Sequence, residues 1–123
     1  MITVNDYLMG RDKQDPLDVL QLRNMAELLS RVNHLLASLN FDPKISSGYR
    51  PPRINKSVGG AKMSTHTVCA GIDLIDPENK IGNFLKKNPL ILQRYDLYLE
   101  NPDHTPGWMH LDIKQRKNRI FNP

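Results

Sequence analysis

The stretch "MSTHTVCAGIDLID", Met63 to Asp76, places metal-binding side chains directly before and within a predicted buried strand. In "GIDLID" the alternation puts Ile72 and Leu74 on one face of the strand and Asp73 on the other. The apolar face predicts a place in the core. The polar face predicts a carboxylate that can converge with His66, which lies across the turn that leads into the strand.

The residues before this stretch predict helices. A short helical turn capped near Thr3 or Asn5 comes first. The pair Asp15-Pro16 then predicts the start of a long amphipathic helix that ends near Leu39. Its apolar stripe consists of Leu22, Met25, Leu29, Val32, Leu36 and Leu39.

The remaining segments predict a small sheet with a helix inserted. Residues 43–47 read as a short strand and 53–58 as a brief helix between turns. "NKIGNFLKK" (79–87) suits a short helix, "LILQRYDLYLE" (90–100) a strand or two, and "WMHLDI" (108–113) a last strand. The predicted fold class is therefore α+β, with N-terminal helices packed on a small, mainly antiparallel sheet.

Length and composition predict one domain over residues 1–123, because the chain has 123 residues of which 39% are hydrophobic. No apolar run approaches the roughly 20 residues that span a bilayer, and the first residues lack the pattern of a secretory signal. With Cys69 as the only cysteine, no disulfide forms within the chain. We therefore expect synthesis and initial residence in a cytoplasm.

The net charge of +4 includes a basic segment, "KQRKNR", from Lys114 to Arg119. It is predicted to be a C-terminal tail that starts near residue 114. Such a tail favours nucleic acid, an anionic membrane surface or an anionic polymer such as bacterial cell wall, and a solvated tail without a partner is the alternative.

Three residues form a candidate zinc site. Catalytic zinc typically has three protein ligands and one open position for water. His66 and Asp73 can converge across their turn, and His110 lies on the inward face of the last strand together with Trp108 and Asp112. The alternative is a hydrogen-bonded core histidine beside a strand-end aspartate. His34 falls on the polar side of the long helix and is interpreted as an exposed residue.

Several separated motifs resemble one family in the same order along nearly the whole chain. They are Ser47-Gly48-Tyr49-Arg50, Asn55, Gly59-Gly60, Ser64-Thr65-His66, Asp73 and Trp108-Met109-His110. This set resembles the zinc D-alanyl-D-alanine carboxypeptidase family, which includes phage peptidoglycan endopeptidases and D-Ala-D-Ala dipeptidases. The resemblance implies a fold of the D-Ala-D-Ala carboxypeptidase type.

The resemblance implies roles for individual residues. His66, Asp73 and His110 would hold one zinc ion. Arg50 would pair with a substrate carboxylate, for which a planar guanidinium is suited, and its alternative is a surface arginine. Ser64 would hydrogen-bond the substrate backbone or orient His66, and its alternative is the cap of a turn.

The resemblance also implies cleft residues and a catalytic base. Tyr49 and Trp108 would line the cleft, unless they belong to the core. Amide hydrolysis needs a group that takes a proton from water and returns it to the leaving amine. In the dipeptidase branch an acid stands three residues before the last histidine, where this chain has a glycine. In the branch that this chain resembles more closely, a strand of the type "YDLYLE" ends in a glutamate before the Trp-x-His. That resemblance makes Glu100 the candidate base, with Asp103 and His104 as runners-up.

Two positions depart from the family pattern. Family members commonly have glycine three residues after the first histidine and alanine two before the aspartate, where this chain has Cys69 and Gly71. Cys69 as a fourth ligand or as a nucleophile is one interpretation, and a small buried hydrophobe is the other.

Two classes of function follow. The first is a zinc peptidase that cuts peptidoglycan stem peptides, of the L-Ala-D-Glu endopeptidase or D-Ala-D-Ala carboxypeptidase type. We expect a monomeric phage lysis enzyme or virion-associated lysin, made in the cytoplasm of the bacterial host and acting on the wall after release or within a particle. The second is a non-catalytic, zinc-stabilised structural or wall-binding module of a phage particle. Nucleic acid is not an expected partner.

Overall fold

The computed structural model describes all 123 residues, which form an α+β domain of short helices and one small mixed sheet. No helix has the length and apolarity needed to cross a membrane. The elements, in chain order, are α1 Val4–Leu8, α2 Val19–Ser38, β1 Ile45–Ser47, α3 Pro52–Ser57, β2 Gly71–Ile75, α4 Lys80–Lys87, α5 Pro89–Tyr95, β3 Tyr98–Glu100, β4 Trp108–Asp112 and β5 Ile120–Phe121.

The first two helices begin at capping boxes. The Thr3 side chain accepts from the backbone N–H of Asp6, which confirms the predicted cap of α1. In α2 the cap is Asp18, which accepts from the N–H of Gln21, while the Gln21 side chain accepts from the Asp18 N–H. The predicted start at Pro16 is therefore wrong, because this reciprocal pair satisfies the free N–H groups of a helix that begins three residues further on, at Val19.

The apolar face of α2 lies in the core. Leu22, which the sequence placed on this face, is 49% exposed, whereas Leu28 and Leu35 are fully buried. His34 is exposed, as predicted. The buried residues of the helix are Met25, Leu28, Leu29, Val32, Leu35 and Leu36.

The sheet has the strand order β1-β2-β4-β3-β5, and every pair is antiparallel except β3 with β5. On one face, Ile72 and Leu74 of β2 and Leu111 of β4 are fully buried in the hydrophobic core, as the alternation predicted. On the other face, Asp73 of β2 lies directly opposite His110 of β4. The sheet therefore separates the apolar core from a polar face.

The segment 90–100 is a helix followed by a strand, so the prediction of a strand or two is only partly right. Pro89 occupies the first turn of α5, where its missing N–H is not needed, and Leu92 is fully buried. The helix ends at Asp96, which adopts a left-handed conformation with φ 52°. Only the last residues, Tyr98–Glu100, form a strand.

The C-terminal segment is part of the fold, unlike the predicted tail. Ile120 and Phe121 pair with Leu99 and Glu100 at the edge of the sheet. An ion pair helps to hold this segment against the sheet, because Arg119 donates to the Asp96 carboxylate at 2.9 Å. Two basic residues of this segment, Arg116 and Arg119, therefore bind the protein's own carboxylates, Asp112 and Asp96.

Candidate metal centre

The polar face of the sheet carries a buried group of three potential metal ligands. Asp73 on β2 and His110 on β4 are cross-strand partners. His66 approaches them from a 3₁₀ turn, Thr65–Val68, that leads into β2. One ligand atom from each residue lies within 4.8 Å of the others.

Backbone hydrogen bonds fix the position of His66. The Ser64 hydroxyl caps the 3₁₀ turn by accepting from the His66 N–H at 3.2 Å. Ser64 therefore both caps the turn and helps to orient His66. The Nδ1 of His66 lies 2.8 Å from the carbonyl oxygen of Gly48. A carbonyl only accepts, so Nδ1 carries the proton and Nε2 is left free, 3.2 Å from Asp73 Oδ1.

His110 is held between two carboxylates. Its Nδ1 lies 2.7 Å from Asp73 Oδ1, and its Nε2 lies 2.8 Å from Asp112 Oδ2. Asp112 is fully buried and also accepts from the Arg116 guanidinium at 2.8 Å. The Arg116 guanidinium in turn stacks on the ring of Phe121, 3.5 Å from its centroid. The C-terminal segment thus supports His110 through Asp112.

The donor set fits a zinc ion. Two imidazoles and one carboxylate are common ligands of catalytic zinc. Each histidine also has one ring nitrogen bonded to an outer acceptor, Gly48 for His66 and Asp112 for His110, and turns the other toward Asp73. Zinc-binding histidines show this arrangement, since the outer acceptor fixes the tautomer and the ring orientation.

The charges within the group stabilise one another. Burial opposes ionisation of Asp73, but the hydrogen bond from His110 and the neighbouring imidazoles outweigh it and lower the pKa of this carboxyl. Burial also disfavours a charged His110, yet its hydrogen bonds to Asp112 and Asp73 raise the pKa of the imidazole to about 9. Without a cation in the site, the proton on His110 therefore supplies the positive charge between two carboxylates.

Two glycines permit the close packing around these ligands. A Cβ on Gly71 would lie 2.2 Å from Thr65 Oγ1 and 2.9 Å from His110 Cε1. A Cβ on Gly48 would lie 2.1 Å from the carbonyl oxygen of Tyr7. Any larger side chain at either position would displace the strand or the turn that carries a ligand.

A cleft of ≈ 330 Å³ opens over the three ligand residues. Of the four predicted substrate-binding residues, Arg50, Ser64 and Trp108 line it. Arg50 makes no ion pair with any acidic residue. Its Nε is buried without a hydrogen-bond partner. The only hydrogen bond of the Arg50 side chain is to Ser64 Oγ at 3.5 Å. An unpaired guanidinium in a cleft is a site for an anion.

Glu100 also lines the cleft. Tyr98 lies opposite Asp112 in the sheet, and Glu100, two residues on, therefore shares the face that carries His110. Burial raises the pKa of Glu100, which suits a group that must both accept and return a proton. Of the runners-up, Asp103 and His104 are both exposed and neither lines the cleft.

Two predicted participants lie elsewhere. Tyr49 does not line the cleft, because its ring is buried in the core and its hydroxyl donates to the carbonyl of Asp15 at 3.1 Å. Cys69 is fully buried in the same core, where burial raises the pKa of the thiol to about 12 and keeps it protonated. With φ 60°, Cys69 occupies a left-handed conformation that glycine adopts more easily, which explains the usual glycine at this position.

The outer partners of His110 had no predicted role. The W-x-H-x-D alternation placed Asp112 on the same face of the strand as His110, and this pattern could have indicated that Asp112 contacts His110. Arg116 and Phe121 gave no such signal, because their approach depends on the parallel pairing of β5 with β3.

We predict that Asp112→Asn weakens zinc binding by about 10- to 100-fold, the usual cost of losing an outer-shell partner of a metal-binding histidine. The variant keeps the side-chain volume but removes the charge that orients the His110 Nε2–H. Competition with a chelator of known affinity measures the effect. Asp103→Asn, an exposed carboxylate outside the cleft, is the matched control, and equal affinities for the two variants would contradict the prediction.

Comparison with known proteins gives one match. A family model described as Peptidase M15 matches residues 3–99, which is most of the chain. The matched part contains Arg50, His66 and Asp73 and ends one residue before Glu100. No curated protein and no solved structure matches the chain.

Proposed function

This chain belongs to the Peptidase M15 family, and from that premise we propose that it is a zinc-dependent peptidase that hydrolyses peptidoglycan stem peptides. One observation carries the proposal. The convergent group of His66, Asp73 and His110 shares its cleft with a half-buried carboxyl, Glu100, and with an unpaired guanidinium, Arg50. A fold of the D-Ala-D-Ala carboxypeptidase type is part of the same proposal.

In this proposal, His66 would hold one zinc ion through Nε2, together with the carboxylate of Asp73 and Nδ1 of His110. Bound zinc lowers the pKa of a water molecule to about 7 and polarises a carbonyl group. Glu100 accepts a proton from the attacking water and donates it to the amine that leaves as the C–N bond breaks. The raised pKa of Glu100 favours both steps.

The other cleft residues position the peptide. Arg50 pairs with a carboxylate of the substrate, because its guanidinium makes no ion pair within the protein and a planar guanidinium is suited to two parallel hydrogen bonds. The Ser64 hydroxyl, next to Arg50, contacts the substrate backbone while it caps the turn of His66. Trp108 forms part of the cleft wall beside the scissile bond.

Arg50→Lys is expected to lower kcat/KM by about 10- to 100-fold, because it loses the paired geometry of a charge-assisted hydrogen bond. The loss should shrink when the carboxylate that Arg50 binds is replaced by an amide in the substrate. Arg53→Lys is the control, since Arg53 is exposed and pairs with Asp15 outside the cleft. Equal effects of the two substitutions would exclude Arg50 from substrate binding.

The biological setting is proposed on the same basis. Cleavage of L-Ala-D-Glu within the stem peptide and removal of D-Ala from its end need the same zinc chemistry, so either bond fits the proposal. The protein acts as a monomeric phage lysis enzyme or virion-associated lysin, made in the cytoplasm of the host bacterium and delivered to the wall after release or within a particle. Its partners are peptidoglycan and, in a particle, other virion proteins.

The test combines metal analysis with wall hydrolysis. Purified protein is assayed for zinc content and incubated with peptidoglycan, and mass spectrometry identifies the released fragments. One zinc per chain together with stem-peptide fragments supports the proposal, and the fragment masses identify the bond. Release of glycan fragments alone, or cleavage that persists after chelation, contradicts it.

A second candidate is a non-catalytic, zinc-stabilised structural or wall-binding module. The glycine three residues before His110, where the dipeptidase branch has its acid, favours this candidate. That position, Gly107, is exposed and left-handed, with φ 82°. Zinc binding and wall binding without any fragment release would select the module over the peptidase.

A further inference from the structure

A second, larger cavity adjoins the cleft over the ligand residues. This cavity has a volume of ≈ 600 Å³. It shares Met63, Ser64, Thr65 and Lys114 with the cleft. The second cavity therefore lies directly beside the cleft, on the other side of Ser64 and Thr65.

The charged groups of the second cavity leave an excess of positive charge. Lys62 and Lys114 line it, are exposed, and make no ion pair with the protein. Its other charged residues, Arg31 and Glu27, pair with each other. The two lysines are therefore free to meet an anionic group that enters from the cleft.

We propose that the second cavity is a subsite for an anionic extension of the substrate, in which Lys62 and Lys114 pair with a second carboxylate. The first carboxylate is the one that pairs with Arg50. The inference rests on the proposed function and specifies its substrate class, a peptide that carries at least two separated carboxylates. A stem peptide meets this requirement, since its D-Glu residue and its C-terminus each carry one.

The expected contribution appears in substrate affinity. We expect these exposed lysines to bind ground state and transition state alike, and the loss of such uniform binding raises KM and leaves kcat unchanged. An exposed lysine that pairs with a carboxylate contributes about two- to fivefold in affinity. Lys62→Gln combined with Lys114→Gln should therefore raise KM several-fold, and added salt should reduce the difference from wild type.

The experiment uses the zinc-loaded protein and a synthetic stem pentapeptide that contains both the L-Ala-D-Glu and the D-Ala-D-Ala bonds. Two counterparts carry an amide in place of the D-Glu carboxylate or of the C-terminal carboxylate. The Lys62/Lys114 double variant is compared with wild type on all three peptides. Lys117→Gln, an exposed lysine of the same segment outside both cavities, is the control.

The subsite is supported if the double variant has a raised KM and an unchanged kcat on the pentapeptide. The rise in KM must also disappear on one of the two amidated peptides and persist on the other. An effect that is equal on all three peptides, or equal in Lys117→Gln, overturns the subsite. If wild type cleaves none of the peptides, the proposed function fails separately. The subsite is then decided by peptide-induced shifts of the Thr67 and Gln115 amide resonances, which must vanish in the double variant.

Discussion

Glu100→Gln is expected to abolish peptide hydrolysis while the protein keeps its zinc. The amide has the size of the carboxyl group but cannot accept a proton from water, and general acid–base catalysis by a positioned side chain contributes about 10²- to 10⁴-fold. Glu100 is not one of the three converging ligand residues, so the zinc content should equal that of wild type. Metal analysis and the rate of stem-peptide release, measured on the same preparation, separate the two effects.

The controls are the other polar residues of the following loop. Asp103→Asn and His104→Ala remove the two runners-up, which are exposed and lie outside the cleft. Both variants should retain wild-type rates within about a factor of two, as is usual for surface substitutions. If Asp103→Asn loses activity and Glu100→Gln keeps it, the base has been assigned to the wrong residue.

The fold was predictable where local patterns agree with tertiary packing. In β2 the alternation of Ile72, Asp73 and Leu74 predicted both faces of the strand. In the segment 90–100 the apolar residues gave no clear period, and Pro89 at its start was the overlooked sign of a helix. The C-terminal strand was not predictable, since two residues that pair in parallel with a distant strand carry no local pattern.

For the candidate site, the sequence predicted the potential ligand residues but not the residues that support them. His66, Asp73 and His110 lie in recognisable motifs, and strand pairing brings two of them directly opposite each other. The outer contacts depend on tertiary structure, because the carbonyl of Gly48 and the guanidinium of Arg116 reach the ligands from separate segments. Tyr49 was predicted in the cleft but lies in the core, because its motif gives a position along the chain and not the direction of its side chain.

Asp73→Asn is expected to remove zinc binding, with a larger effect than the loss of an outer-shell partner. Asp73 supplies the only carboxylate among the three ligand residues, and both histidines turn a ring nitrogen toward it. Wild type should gain about 2.7 kcal/mol of unfolding free energy at a zinc concentration of 100 times Kd. The variant should gain none, and His34→Ala, an exposed histidine of α2, should respond as wild type does.

The gain in unfolding free energy on adding zinc, measured at several pH values, distinguishes a metal centre from a hydrogen-bonded cluster. The pKa of His110 rises on folding from 6.5 to about 9, so its protonation stabilises the metal-free protein fully below pH 6.5. That contribution is lost as the pH rises toward 9. Zinc binding releases the proton and therefore strengthens over the same range. Stabilisation by zinc that grows from pH 6.5 to 9 indicates a metal centre, whereas a cluster without metal would lose stability over this range whether or not zinc is present.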